Sequence, residues 1–86
     1  MIVFLSLGTN IGDRLHNLEK VYFLIEMEEK INIISKSKIY ETSPVENLNQ
    51  EYFLNQIIKI DTDIEPLQLL NLNKNIENKM GRIELK

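Results

Sequence analysis

Phe53 and Asn55 stand two residues apart in the stretch YFLNQ, so on an extended strand they point to one side while Leu54 points to the other. An aromatic ring offers a stacking surface, and a carboxamide both donates and accepts hydrogen bonds. Upstream, Thr42-Ser43-Pro44 leaves a preceding strand and opens a polar connection, a place where backbone groups are free. Together these are the groups that a flat heterocycle with ring N–H groups needs. The same residues also fit an apolar sheet face with one satisfied Asn, and chemistry alone leaves both readings open.

Other candidates are weaker on spacing. Gly8 to Asp13, GTNIGD, joins a strand to a helix as phosphate loops do, but it lacks the Lys-Ser/Thr of a P-loop and the third glycine of a dinucleotide loop. A turn followed by a helix capped at Asp13 accounts for it. Asp61-Thr62-Asp63 could offer oxygens to a hard cation, yet acids between a strand and a helix ordinarily turn the chain and face the helix N-terminus. No metal ligand is assigned. His16 is the single histidine, with no acid or nucleophile at a telling distance, and reads as a surface residue. Tyr22 and Phe23 are expected in or near the core. Lys74, Glu77 and Arg82 lie on or just past one helix, where a surface ion pair and a charge complementing the dipole suffice.

Those residues need a scaffold. Residues 2–7 form a continuous apolar run, which predicts a strand buried on both faces. Leu15, Leu18, Tyr22 and Ile25 recur at helical spacing, and that helix should fade near Glu28-Glu29. Alternation predicts strands over 31–40 and about 52–61, separated by a loop over 41–51. Pro66 opens a second helix with Leu69, Leu72, Ile76 and Met80 on one side, and Gly81 ends it. The order is β-α-β-β-α, an α+β pattern matching the split β-α-β arrangement of ferredoxin-like folds with its last strand missing.

With 86 residues, one domain is expected, and its core should be modest. A hydrophobic content of 43% and a charged content of 27% suit a globular chain. No cysteine is present, which removes disulfides and thiolate metal sites. The net charge of -3 with scattered Lys and Arg gives no basic stripe, so no nucleic-acid partner is expected. The N-terminal apolar run is too short for a membrane span or a signal core, which predicts a cytoplasmic protein without a membrane partner.

In order and with matching gaps, FLSLGTNIGDRLHNL, SKIYETSPV, YFLNQ and IENKMGR resemble the N-terminal half of the 6-hydroxymethyl-7,8-dihydropterin pyrophosphokinase family. The resemblance spans nearly the whole chain. It implies a ferredoxin-like α+β fold and a folate-pathway transfer of pyrophosphate from ATP to the pterin hydroxymethyl group, with two Mg²⁺ ions. By the same resemblance, Thr42, Ser43, Pro44 and Val45 border the pterin, Phe53 stacks on it and Asn55 reads its edge. Lys74 and Glu77 fall at the ATP site, and Arg82 begins a catalytic loop. Two positions depart from the pattern: Lys74 stands where Gln is common, and Ser43 where Pro is.

The family continues into an R-x-x-D-[LIV]-D segment that binds the metals, whereas this sequence ends at GRIELK. The expectation is therefore a truncated domain over residues 1–86, inactive by itself, with its first strand exposed for self-association. The alternative expectation is a degenerate pterin-binding or assembly module that pairs through that strand.

Overall fold

The computed structural model describes residues 1–10, 12–43, 51–80 and 84–85. Strand β1 (Ile2–Thr9) leads to helix α1 (Arg14–Glu26), then strands β2 (Ile31–Lys36), β3 (Tyr40–Thr42) and β4 (Phe53–Thr62), helix α2 (Pro66–Met80) and the short strand β5 (Glu84–Leu85). The class is α+β. The sheet is antiparallel with order β2-β4-β1-β5, and β3 also pairs with β4.

Both helices lie on one face of this sheet. Leu5 and Leu7 of β1 and Ile58 and Ile60 of β4 pack there against Leu18, Val21 and Ile25 of α1 and Leu69 and Ile76 of α2. Every second residue of β4 enters this core, as pleating demands. The opposite face carries no helix among the described residues. This overturns the reading of β1 as buried on both sides: Ile2 and Phe4 are 50% and 63% exposed. A continuous apolar run does not separate a two-faced strand from one whose outer residues also happen to be apolar.

Local signals placed the helix starts well. The Asp13 carboxylate accepts from the His16 backbone N–H at 3.1 Å, so α1 is capped as expected, and Gly12 turns the chain before it with φ of 68°. The end of α1 comes at Glu26, two residues before the Glu28-Glu29 pair. Its inward stripe is Leu18, Val21 and Ile25, with Leu15 half exposed and Tyr22 at the margin. Phe23, expected near the core, is 54% exposed, because it lies one position round the helix from Tyr22. In α2 the polar Asn73 is buried beside Leu69 and Ile76.

The strand anticipated over 31–40 is two strands. Its register against β4 shifts between Ile33 and Ser35, and the segment 37–39 leaves the ladder before β3 begins. There Ser37 uses both backbone and side chain: its N–H donates to the Ile57 carbonyl at 2.8 Å, and its Oγ accepts from the Ile57 N–H at 2.9 Å. Gln56, the polar interruption on the core face of β4, donates to the Ser37 carbonyl at 3.0 Å and is thereby satisfied while buried. Glu41 and Thr42 belong to β3 rather than to the loop. Gly8 and Thr9, read as turn residues, continue β1.

A further short strand, β5, was not anticipated. β5 pairs with the far end of β1, Leu7 opposite Leu85 and Gly8 opposite Glu84. Residues 2–6 of β1 pair with β4 on one side and have no strand on the other among the described residues. No helix among the described residues is long and apolar enough to cross a membrane.

Candidate functional site

Register brings the chemistry-bearing residues together at one end of the sheet. Gly8 of β1 and Tyr40 of β3 both pair with Asn55, and Thr42 pairs with Phe53. Paired residues of an antiparallel ladder project to the same face. Phe53, Asn55, Thr42 and Tyr40 therefore share the face without helices, with Gly8 on β1 flanking Asn55 on the side away from β3. Phe53 and Asn55 are half-buried and Tyr40 and Thr42 exposed, so the site opens outward.

The Asn55 carboxamide is held rather than free. Its Nδ2 donates to Thr42 Oγ1 at 2.9 Å, with longer approaches of 3.4 Å to the Tyr40 and Phe53 carbonyls. This assigns an orientation: nitrogen toward β3, oxygen toward β1. A Cβ placed on Gly8 would lie 3.1 Å from Asn55 Oδ1 and 3.8 Å from Phe53 Cδ1. The ring and the amide thus converge over a glycine, and any larger residue at position 8 would push into that space. Sequence reasoning passed over this role for Gly8. The available signal was a glycine ending an apolar strand, which often marks a close approach.

Ser43, next to Thr42, is exposed. Pro44, Val45 and Arg82 lie outside the described residues, as does the expected helix stop at Gly81. Lys74 and Glu77 sit on α2, in the helical layer rather than on the open face. Lys74 Nζ is 3.9 Å from Glu77 Oε2, a loose pair in which Lys74 is largely exposed and Glu77 mostly covered. These two are brought to each other and not to the Phe53–Asn55 face.

At the other end of β4, Asp61 and Thr62 make structural contacts. Asp61 Oδ1 accepts from the Met1 amino group at 3.0 Å. Thr62 Oγ1 donates to the Lys30 carbonyl at 2.7 Å and accepts from the Ile64 N–H at 3.1 Å, closing the turn into α2. Among the described residues no group of three or more His, Cys, Asp or Glu side chains gathers that could hold a metal ion.

The chain is thus an α+β domain with both helices on one face of the sheet and an aromatic–amide pair on the other. Comparison with known proteins is more specific. Residues 4–86 match the family model described as 7,8-dihydro-6-hydroxymethylpterin-pyrophosphokinase (HPPK), and the chain belongs to that family. It is 40% identical over 81 residues to the 2-amino-4-hydroxy-6-hydroxymethyldihydropteridine pyrophosphokinase of Bacillus subtilis, covering 94% of this chain and 48% of that protein. It is 37% identical over 83 residues to a folic acid synthesis protein of Schizosaccharomyces pombe, covering 96% of this chain and 11% of that one. A mitochondrial folate synthesis bifunctional protein of Pisum sativum is 39% identical over 82 residues, 95% of this chain and 16% of the relative. The chain spans about half the length of the Bacillus relative and smaller shares of the other two.

Proposed function

We propose that this chain supplies the pterin-binding part of a folate-pathway pyrophosphokinase, which transfers pyrophosphate from ATP to the hydroxymethyl group of 6-hydroxymethyl-7,8-dihydropterin. One observation carries the reading: the Phe53 ring and the Asn55 carboxamide converge over Gly8, beside Thr42. The ring offers a stacking face. The amide, oriented by Thr42, offers an acceptor and a donor to the edge of the heterocycle. By the family resemblance Ser43, Pro44 and Val45 are assigned to the pterin as well, and the strand order, with β2 and β3 taken as one broken strand, supports a ferredoxin-like split β-α-β fold. Lys74 and Glu77 are assigned to ATP, Arg82 to the catalytic loop, and the protein to the cytoplasm.

Magnesium supplies charge neutralisation in phosphoryl transfer. Among the described residues no group of three or more His, Cys, Asp or Glu gathers that could hold the ion by itself. No step is therefore assigned to a metal here. These 86 residues, assayed by themselves with ATP, Mg²⁺ and pterin, are expected to bind pterin without rapid turnover. Rapid ATP consumption would defeat that expectation.

The binding claim is tested by titrating the chain with 6-hydroxymethylpterin while following the fluorescence of its three tyrosines. Asn55→Ala should weaken binding by at least about tenfold, the worth of a buried polar contact to a ligand. Unchanged affinity would reduce Asn55 to a sheet residue.

A second reading keeps the fold and drops the chemistry: a module that assembles through β1. The strand edge over residues 2–6, flanked by exposed Ile2 and Phe4, favours it. Sedimentation separates the two, because a stable dimer without pterin binding supports assembly alone.

A further inference from the structure

We infer that Arg14 is a positioning residue, whose guanidinium braces the ends of β3 and β4 from behind and so holds Asn55 and Phe53 in place. Arg14 Nη1 donates to Glu41 Oε2 at 3.1 Å and to the Tyr52 carbonyl at 2.7 Å, and its Nε lies 3.5 Å from Glu51 Oε2. Glu41 precedes Thr42 and Tyr52 precedes Phe53, the last pair of a ladder only three pairs long. That pair carries the hydroxyl to which Asn55 is anchored.

The brace comes from the helix side. Glu41 pairs with Leu54, whose parity is that of the core, so the guanidinium lies behind the open face. Its placement runs against the interest of its own helix. Arg14 is the first residue of α1, where the macrodipole disfavours a cation, and no acid stands in that first turn. Asp13 caps the helix but does not pair with Arg14 among the contacts described. Ion pairs to the exposed Glu41 and Glu51 would by themselves contribute little. A planar fork that reaches one carboxylate and a backbone carbonyl together is different, because it fixes direction as well as distance.

The consequence for pterin rests on the function proposed above; the brace itself does not. The test therefore starts without ligand. In ¹⁵N-resolved NMR of the free chain, Arg14→Ala should shift the Asn55 side-chain amide signals and speed amide exchange in the β3–β4 ladder about tenfold, with exchange at Ile58 and Ile60 unchanged. Arg14→Lys keeps a charge but not the fork, and should restore the signals only in part. If the alanine variant fails to fold, the lysine variant carries the same readout against wild type.

Unaltered Asn55 signals and ladder exchange would overturn the inference. So would a loss of protection spread evenly over Ile58 and Ile60, since that is ordinary destabilisation. With pterin, Arg14→Ala should raise Kd about tenfold and Arg14→Lys less. If the wild-type chain binds no pterin, the proposed function falls, and the NMR result still decides the role of Arg14.

Discussion

One strand serves two faces. On the covered side of β4, Ile58 and Ile60 are fully buried, and the polar Gln56 and Thr62 find partners in the chain itself. On the open side, Phe53, Asn55, Ile57 and Lys59 keep part of their surface in solvent. Lys59 Nζ stands 5.9 Å from the Phe4 ring there, a contact of the kind that covers apolar surface without burying it. The covered face is arranged to exclude water, and the open face is arranged to present groups. On the proposed function, the pleat separates stability from binding: a change at one residue of β4 should register in one property, and a change at its neighbour in the other.

The sharpest way to break that division is on the covered side. Ile58→Ala removes a side chain with 0% exposure and should cost about 2–5 kcal/mol, a large fraction of the stability of a domain this size. Denaturant unfolding measures it; a cost under about 1 kcal/mol would show that the core is not where packing places it. Gly8→Ala comes next and tests the crossing point of the two faces. Its Cβ must displace Asn55 Oδ1 from 3.1 Å, so pterin affinity should fall severalfold while unfolding shifts by about 1 kcal/mol or less. Affinity equal to wild type would remove the close approach from the site.

Asp13→Ala lies apart from both faces and sharpens the comparison as a control. Loss of the cap to the His16 N–H should lower stability by about 1 kcal/mol without altering pterin titration. The smallest effect belongs to Phe4→Ser on the open side. With 63% of Phe4 exposed, the unfolding free energy should change by no more than about 0.5 kcal/mol. If the chain assembles through β1 as the second reading holds, the effect should appear in sedimentation instead, as weaker self-association. A large loss of stability would mean that the open face carries packing of its own.

Much of the local plan could be read from residue order. Asp13 announced the start of α1 because a carboxylate before an apolar periodic run has free amides to accept from. Pro66 announced α2, and the two-residue spacing of Phe53 and Asn55 already implied a shared face. What misled was periodicity where a neighbour changes its meaning. The register shift after Ile33 broke a strand that simple alternation ran on to Tyr40. Phe4 looked like core because its sequence neighbours are core, and only the placement of both helices on one side left it in solvent. Asn73 sits among buried residues of α2 although its composition signals a polar surface.

By itself the sequence determined the order of the two helices and the main strands, where α1 is capped, and that an aromatic and an amide face one way, because these depend on spacing and on contacts within a few residues. Tertiary structure alone decided that Gly8 lies under that pair, that Thr42 orients the amide, and that Arg14 reaches across to β3 and β4. Those contacts join residues 13 to 47 positions apart in the chain. They depend on strand register, which no local pattern encodes.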